Sequence, residues 1–444
     1  MSSTKSTDRS TLAQGTAHEA PAGGRSAAEG IGPLLDALLG TEPPVRFEFW
    51  DGTALGPATA RGTVRVNSVN AVRRMLWSPN QLGIGRAYVT GELDIDGDVF
   101  WVLESLRDAV PPGVRFGSRA VPAAFAAARR LRVLGGPPPP PPEEARGGGR
   151  RHSKSRDAAA ISHHYDVGND FYRIVLGPSM TYSCARFTEP DMTLAAAQAS
   201  KHDLICRKLG LHETPGKRLL DVGCGWGSLA IHAAEHYDAQ VVGITISAAQ
   251  ADLARQRVAG AGLASRVDIR LQDYRDVHGE RFDAIASVGM FEHVGARRMA
   301  LYFERLHDLL TPTGRLLNHA ISSVNGSAMS RRSFIGRYVF PDGELIDVGE
   351  VQRAMARAGL EVRDVESLRE HYATTLRHWV ANLEAEWDRA VSLVGSARAR
   401  IWRLYMAGSA LGFADGGISV HQVLGVKHAA TGTSGMPVTR RDWE

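Results

Sequence analysis

The sequence predicts an α/β protein whose larger part is a doubly wound, mostly parallel sheet. In the C-terminal half, short apolar runs alternate with segments of helical periodicity, which is typical of parallel strands connected by helices. The first of these runs ends at Asp221 and is followed by three alternating glycines, Gly223, Gly225 and Gly227. Glycines at this point allow a tight turn and the close approach of a ligand to the backbone. A proline- and glycine-rich break over residues 135–149 precedes this part and indicates a second, smaller domain.

The composition of the 444-residue chain narrows the classes of protein it could be. Its length allows two or three domains at about 100–200 residues each. The formal net charge of +4 is mild, but basic residues cluster between positions 129 and 156. Such a cluster could meet anionic lipid or nucleic acid, or it could be a solvated linker.

Cysteine usage and hydropathy indicate a cytoplasmic protein. Cys184, Cys206 and Cys224 have neither a metal-binding spacing nor a disulfide framework, which suits a reducing compartment. Residues 1–30 lack the apolar core of a signal peptide and are rich in Ser, Thr, Ala and Gly, so we expect a disordered leader there. No run approaches the roughly 18 apolar residues of a membrane span, so any membrane contact should be peripheral.

Residues 31–134 are predicted to form a small α+β domain. Asp51-Gly52 is a hairpin signal between two stretches that we expect to be strands, 46–50 and 62–66. Over 83–96, apolar and polar residues alternate around glycine turns. Helices are predicted over 33–39, 69–77, 100–106 and 121–133.

A linker over residues 135–160 should separate the two domains, stiff in its six prolines and loose in its glycines. The catalytic domain is predicted over 161–430, and a tail over 431–444. Strands are expected at 218–222, 241–246, 267–271, 282–288, 315–321 and 361–366, with helices at 193–209, 228–237, 248–261, 297–310 and 349–358. A long helical stretch is expected over 371–412.

The glycine turn by itself is shared by several nucleotide-binding classes, and three details favour S-adenosylmethionine over NAD. Asp221 precedes the glycines, where it can orient the loop or meet an ammonium group. The second strand ends in Thr245 instead of the acid that takes a ribose in NAD enzymes. Asp273 and Tyr274 follow the third strand and offer hydrogen bonds and an aromatic wall to an adenine, although Asp273 could also be purely structural.

Glu292 and His319 are predicted to converge near the glycine turn. Glu292 follows the fourth strand and His319 lies on the fifth, and the carboxyl ends of parallel strands meet at the ligand crevice. A lone strand histidine is more often a satisfied core residue, but several such residues together favour a site that holds or acts as a base.

Here the chain resembles a known family. Residues from about 161 to 430 are similar to the cyclopropane fatty acid synthases, which include the mycolic acid cyclopropane synthases. The resemblance rests on several long motifs in the same order, namely His164 to Tyr172, Thr181 to Ala185, Leu219 to Gly227, Gly289 to Gly295 and His371 to Leu376. It implies a class I S-adenosylmethionine-dependent methyltransferase with a Rossmann-like doubly wound sheet. The region before the linker is similar to the small lipid-binding-type domain of the phospholipid-modifying members.

The resemblance implies a reaction and two sets of residues. A methyl group passes from S-adenosylmethionine to a cis double bond of a phospholipid acyl chain, and a bound bicarbonate ion removes a proton so that a cyclopropane closes. The bicarbonate would be held by Cys184, Glu292, His319, Ile321 through its backbone, and Tyr372. The S-adenosylmethionine would be held by Tyr182, Ser183, Gly223, Gly225, Gly227, Thr245, Gln250, Asp273 and Tyr274, to which the residues themselves add Asp221. No metal is expected.

The basic cluster, the N-terminal domain and the family resemblance also suggest partners and alternative functions. The basic cluster and the N-terminal domain should dock peripherally on the anionic inner face of the membrane, with no nucleic acid bound. We leave a homodimer open. The nearest rival makes a methylene-branched chain that a partner reductase saturates, because loss of a different proton gives that product. A lipid-binding scaffold and a small-molecule methyltransferase are the alternatives from other classes.

Overall fold

The structure is a computed structural model that describes residues 26–40, 42–110, 120–133, 135–145, 167–324, 330, 333–341 and 343–443. Most of the predicted leader and the glycine-rich part of the predicted linker lie outside these residues. The motif residues His163, His164, Tyr165 and Asp166 also lie outside them.

The N-terminal unit combines a small sheet with helices. Its strands are β1 (Arg46–Phe49), β2 (Ala54–Leu55), β3 (Gly62–Val66) and β4 (Leu93–Gly97), and within the described residues the sheet has the order β2-β1-β3-β4. Its helices are α1 (Ala27–Leu39), α2 (Val69–Trp77), α3 (Gln81–Val89), α4 (Val99–Ala109) and α5 (Ala120–Arg130). The four predicted helical stretches are therefore confirmed, with shifted ends.

Three expectations for this unit are wrong. The strands β1 and β3 pair in parallel, so the Asp51-Gly52 turn joins β1 to the short β2 instead. Residues 83–89 belong to α3, because the helix begins after the Asn80 cap and its Gly83 and Gly85 allow close packing on Ser78 and Phe334. The last residues of the predicted leader are helical, since Ser26 and Glu29 form a capping box that starts α1 at Ala27.

The large sheet has the predicted α/β architecture. Its order within the described residues is β10-β11-β9-β8-β5-β6-β7, with β5 to β9 parallel and β11 antiparallel to both neighbours. The strands are β5 (Arg218–Val222), β6 (Gln240–Thr245), β7 (Val267–Leu271), β8 (Phe282–Val288), β9 (Leu310–Ser323), β10 (Leu360–Ser367) and β11 (Ile418–Lys427). All six predicted strands are confirmed, whereas β11 was not predicted.

Helices cover both faces of this sheet and the region above its carboxyl end. They are α6 (Asn169–Leu176), α7 (Leu194–Lys208), α8 (Ser228–Tyr237), α9 (Ala248–Gly260), α10 (Met299–Leu309), α11 (Phe334–Tyr338) and α12 (Val348–Arg357). The predicted long helical stretch is three helices, α13 (Arg369–Ala385), α14 (Trp387–Val394) and α15 (Ser396–Ala414), separated at Glu386 and Gly395. The predicted tail is not loose, since Trp443 is buried and Arg440 pairs with the Asp364 carboxylate at 2.5 Å.

One hydrophobic core extends from the N-terminal unit into the catalytic part. Val64, Tyr88 and Ile95 of the small domain belong to the same buried cluster as Tyr172 and Trp402. Helix α15 packs directly on α3 and α4, and Gly85 of α3 leaves room for Phe334. The N-terminal unit is therefore packed against the catalytic part and is not a separately tethered body.

The proline-rich segment 135–145 lies along the surface as a bound strap. Arg74 donates to the Pro139 carbonyl at 2.8 Å, and Trp77 donates to the Gly135 carbonyl at 2.9 Å. At its far end, Glu144 accepts two bonds from Arg86, at 2.7 and 2.8 Å. Glu144 also accepts from the Tyr338 hydroxyl at 3.3 Å, so this half of the predicted linker is bonded to both parts of the chain. None of the described helices is long and apolar enough to pass through a membrane.

Candidate active site

A cavity opens at the carboxyl ends of β5, β6 and β8, with about 1160 Å³ of empty space including its mouth. The turn after β5 forms its floor, and Gln272 to Arg275 forms one wall. Predicted S-adenosylmethionine-binding residues meet in this one cavity, and those that line it are Tyr182, Ser183, Asp221, Gly223, Gly225, Thr245, Gln250, Asp273 and Tyr274. Gly227 does not line the cavity. It caps α8 and faces Ala254, which a side-chain carbon would meet at 3.3 Å.

The glycine loop contains residues with positive φ, and side chains from neighbouring segments hold it in place. Gly225 has φ = +54° and has open space where a side chain would stand, so a ligand can approach its backbone. Trp226 is fixed by its ring nitrogen, which donates to Asn169 at 2.8 Å. Arg257 donates to the Trp226 carbonyl at 2.5 Å and to the Ser179 carbonyl at 3.0 Å. The loop and the 179–184 segment are therefore clamped to each other.

Two further predicted contacts have partners within the protein. The Thr245 hydroxyl donates to the Gln250 side-chain oxygen at 2.9 Å, which leaves the Gln250 amide nitrogen for other contacts. The Asp273 carboxylate pairs with Arg275 at 2.5 Å and also caps the turn that follows it. Asp273 thus has the structural role that the sequence left open, at the wall of the cavity.

Asp221 and Lys201 bring two charges to the floor of the cavity. Asp221 is buried at the end of β5, and its Oδ2 atom has no hydrogen-bond partner among the described residues. Burial raises the pKa of the Asp221 carboxyl to about 7 and lowers the pKa of the Lys201 ammonium to about 7, each opposed by attraction between the two groups. Lys201 was missed from sequence because a lysine in a helix usually faces solvent.

A second group of polar residues lies beside the cavity, with His319 buried and Glu292 partly buried. The Glu292 Oε1 atom accepts a bond from the Ile321 backbone N–H at 2.8 Å, while its Oε2 atom is buried and unpartnered among the described residues. His319 faces Gln422 across β9 and β11, with Nδ1 at 3.3 Å from the Gln422 amide nitrogen. Its Nε2 atom is also buried with no partner in the described chain. These two orphaned atoms are what a bound group would contact.

The other predicted members of this set are joined to it through the backbone. Cys184 donates its thiol to the carbonyls of Ala185 and Leu368, at 3.1 and 3.5 Å. Tyr372 lies one helical turn after Leu368 and donates its backbone N–H to the Leu368 carbonyl. The backbone N–H of Leu368 in turn donates to the Val420 carbonyl. Val420 pairs with Ile321 in the sheet. Cys184 and Tyr372 thus both donate to the Leu368 carbonyl, and Leu368 is linked through Val420 to the strand position of Ile321. None of the five predicted residues lines the large cavity.

Electrostatics set which of these groups carries charge. Burial raises the pKa of the Glu292 carboxyl to about 7 and lowers the pKa of His319 to about 3. Burial also raises the pKa of the Cys184 thiol far above its usual range. At neutral pH the histidine and the thiol are neutral, and Glu292 is poised between its two forms. When His319 Nδ1 accepts from the Gln422 amide, the imidazole proton lies on Nε2, which then donates into the site.

Aromatic rings surround this region. Tyr182 lies between Tyr172 and Trp379, at centroid distances of 5.6 and 5.3 Å. Its hydroxyl meets that of Tyr405 at 3.2 Å, and burial raises the pKa of Tyr405 to about 12. Tyr405, on α15, was not predicted as a site residue, because nothing in the local sequence shows that α15 returns over the sheet. Aromatic rings packed in this way can stabilise a nearby positive charge through their π faces and exclude water.

The residues present fit both groups that the sequence predicts. The orphaned Asp221 Oδ2, the open backbone at Gly225 and the adjacent aromatic wall suit a ligand with an ammonium group and a nucleoside. The orphaned Glu292 Oε2 and His319 Nε2 suit a small oxyanion, because a protonated Glu292 and the His319 N–H both donate. The Ile321 N–H, which was predicted to hold the anion, is already bonded to Glu292.

Comparisons with known proteins place the chain in one family of methyltransferases. The family described as mycolic acid cyclopropane synthetase matches residues 152–423. The chain is 43% identical to a probable fatty acid methyltransferase of Pseudomonas putida, over 93% of this chain and 99% of that protein. It is 34% identical to the cyclopropane-fatty-acyl-phospholipid synthase of Escherichia coli, over 82% and 88% of the two chains. A mycolic acid cyclopropane synthase solved with SAH and CTAB shares the fold over 60% of this chain and 97% of its own, with a TM-score of 0.57 and 37% identity.

Proposed function

The chain belongs to the mycolic acid cyclopropane synthetase family and is an S-adenosylmethionine-dependent methyltransferase, and from that premise we propose that it methylates the cis double bond of unsaturated phospholipid acyl chains and closes a cyclopropane. The bound S-adenosylmethionine supplies an electrophilic methyl group. The protein must place that methyl against a weakly nucleophilic alkene, stabilise the resulting positive charge, and remove a proton from the new methyl group.

The observation that carries this proposal is the pair of orphaned atoms, Glu292 Oε2 and His319 Nε2. Methylation of an amine or hydroxyl in a solvated site does not need a dry proton acceptor next to aromatic rings. Methylation of an alkene does, because the product is a carbocation that must lose a proton before water adds to it. The enclosed Glu292 and His319, beside Tyr182 and Tyr405, support that requirement.

We propose that the proton acceptor is a bicarbonate ion held between Glu292 and His319. His319 is neutral at physiological pH, and with its proton on Nε2 it donates to the ion instead of acting as the base. Glu292, whose pKa is raised to about 7, can hold the proton it shares with the ion. Cys184 and Tyr372 complete the enclosure through the strand-end network described above.

The decisive experiment is incubation of the full chain with S-adenosylmethionine and vesicles that contain an oleoyl phospholipid. Proton NMR of the released acyl chains should show the high-field signals of a cyclopropane ring, and removal of bicarbonate from the buffer should slow their formation. Recovery of unchanged oleate from wild-type protein that binds S-adenosylhomocysteine would refute alkene methylation.

A second product is favoured by the comparisons. Two relatives that align over more than 90% of this chain, at 43% and 40% identity, are called probable fatty acid methyltransferases, and these names do not mention a cyclopropane. The cyclopropane-fatty-acyl-phospholipid synthase is 34% identical. The same first step followed by loss of a different proton gives a methylene-branched chain, which a partner reductase could saturate. The two products are isomers, so mass does not separate them. Vinylidene signals in the NMR spectrum would identify the branched product.

We further propose that the N-terminal unit docks peripherally on an anionic membrane at the cytoplasmic side. Helix α2 packs on both α3 and α5, and each of these helices carries an exposed apolar side chain, namely Trp77, Ile84 and Phe125. Trp77 and Phe125 are 56% and 59% exposed, which is large for aromatic rings. Arg129 and Arg130 follow Phe125 at the end of α5 and suit anionic headgroups.

Point variants test this docking better than truncation, because the core shared with the catalytic part would be exposed by removal of the unit. We expect the Trp77→Ser, Phe125→Ser double variant to lose about 10-fold in binding to anionic vesicles, since each ring inserts apolar surface. Vesicle sedimentation measures this. The exposed Leu301 of the catalytic part offers a matched control, and equal losses from Leu301→Ser would contradict docking by α2 and α5.

A further inference from the structure

Lys201 is a buried cation that the reaction described so far does not use. It lies on α7 with 1% of its surface exposed, and its Nζ donates to the Ser183 hydroxyl at 2.9 Å. An ammonium group has three N–H bonds. Within the described part of the chain, no carboxylate lies at ion-pair distance from this nitrogen. Buried lysines are rarely left in this state, because an unpaired charge away from water is costly.

The neighbours of Lys201 place its ammonium group at the ligand cavity. Lys201, Ser183 and Asp221 all line that cavity together with Gly223. Ser183 is fixed by its carbonyl, which accepts from the Gln198 amide at 2.9 Å, so the hydroxyl that Lys201 contacts has a defined position. Asp221 keeps one unpartnered carboxylate oxygen at the same floor. Opposite charges therefore face the cavity without forming an ion pair with each other.

The same helix shows what a structural buried lysine looks like. Lys208 lies two turns further along α7 and is also 1% exposed. Its Nζ pairs with Asp364 at 2.8 Å and Glu366 at 2.5 Å. Lys208 is thus satisfied within the protein, whereas Lys201 retains bonding capacity that is directed toward the cavity.

We propose that Lys201 binds the α-carboxylate of S-adenosylmethionine while Asp221 binds its α-ammonium group. The amino-acid end of this ligand is a zwitterion, and the floor of the cavity presents one charge of each sign for it. The hydroxyl of Ser183, held by Lys201, donates to the same carboxylate. This inference rests on the bound methyl donor of the proposed function. It adds Lys201, a residue that distinguishes a ligand with an amino-acid end from a nucleoside alone.

Calorimetric titration of the full chain tests the proposal without any lipid. The ligands are S-adenosylhomocysteine and S-adenosyl-3-thiopropylamine, which differ only in the carboxylate. We expect wild-type protein to bind S-adenosylhomocysteine about 30-fold more tightly, because only this ligand has a carboxylate that can form a charge-assisted hydrogen bond with Lys201. In Lys201→Met this preference should fall to about 3-fold or less, because the variant weakens binding of the carboxylate ligand alone.

Lys208→Met is the matched control, because it removes a lysine of equal burial from the same helix. It should lower the thermal midpoint while keeping the preference for the carboxylate within about 3-fold of the wild-type value. A wild-type protein that binds both ligands equally would overturn the proposal even if Lys201→Met failed to fold. A preference retained in folded Lys201→Met would overturn it as well. Failure of the lipid chemistry in protein with the expected preference would reject the proposed function and leave this inference standing.

Discussion

Two of the regions in which this molecule buries polar and charged side chains are arranged in opposite ways. At the seam between the N-terminal unit and the catalytic part, Arg403 donates to Glu384, to the Tyr88 hydroxyl and to the carbonyls of Ile95 and Gly97. At the site, Asp221, Glu292 and His319 each keep a buried polar atom without a partner among the described residues.

The difference separates structural charge from charge that is reserved for a ligand. A buried group that is fully bonded within the protein stabilises one arrangement of the chain, and its removal leaves its partners unsatisfied. A buried group with an orphaned atom destabilises the ligand-free protein, and a ligand that bonds to this atom removes the destabilisation. We therefore expect substitutions at the seam to reduce stability, and substitutions at the site to reduce activity.

The largest effect should come from Glu292→Gln. This change keeps the shape and the bond to Ile321 but removes the titratable proton, so we expect product formation from oleoyl vesicles to fall about 100- to 1000-fold. The rate of product formation under saturating S-adenosylmethionine measures it. Glu144→Gln at the strap is the paired control, because Glu144 is equally a buried carboxylate but bonds only to protein groups. Similar rate losses in both variants would contradict the distinction between the two regions.

The next largest effect concerns the seam. Arg403→Met keeps the aliphatic length but leaves the Tyr88 hydroxyl and two strand carbonyls without their donor, so we expect a loss of about 3 kcal/mol in the free energy of unfolding. Urea denaturation measures this loss. The exposed Arg389 on α14 provides the comparison, and Arg389→Met should cost no more than about 0.5 kcal/mol. An Arg403→Met protein with wild-type stability would mean that the seam is not fixed by these bonds.

The smallest effect is a pH dependence of stability at the site. Burial raises the pKa of Glu292 to about 7 from the ordinary glutamate value of 4.5, so the folded protein holds this proton to higher pH than the unfolded chain. The stability it contributes is present below about pH 4.5 and is lost as the pH rises through 7. Relative to Glu292→Gln, the ligand-free wild type should lose about 2 kcal/mol of unfolding free energy between pH 5 and 8.

Urea titrations of both proteins across that pH range provide the measurement. Asp221 and His319 also titrate, the first with the same sign and the second with the opposite sign below pH 6.5, but both remain in the variant and cancel in the difference. Parallel curves for the two proteins would show that Glu292 is ionised throughout and cannot hold a proton for a bound anion.

The parallel sheet, and most of the predicted residues that line the cavity, could be identified because their signals are local. The alternation of strands and helices lies in the periodicity, and the loop at Gly223 and Gly225 follows directly from residues that permit positive φ. Strand β11 also carried a local signal, the β-branched residues Ile418, Val420, Val423 and Val426, but it was missed next to a long helical stretch. Its position between β9 and β10 depends on antiparallel pairing over distant residues.

Lys201 and the strap could not be predicted for a different reason. A lysine in the middle of an amphipathic helix is normally solvated, and only the packing of α7 against the sheet shows that this one is enclosed. The six prolines and five glycines of residues 135–149 indicate a tether by composition. Whether residues 135–145 are bound depends on Arg74, Trp77 and Arg86, which lie about 60 positions earlier in the chain. Burial and long-range pairing are tertiary properties that residue type alone does not specify.

The continuous core between the two sheets has a consequence for how this protein could be built and varied. Val64 of the small sheet and Trp402 above the large sheet share one apolar cluster, so neither part completes its interior alone. Such a chain should melt in one cooperative transition, and grafting its first part onto a foreign catalytic domain would require a matching α15 surface. The N-terminal unit should therefore be exchangeable between proteins only together with the surface of α15, and not as an independent module.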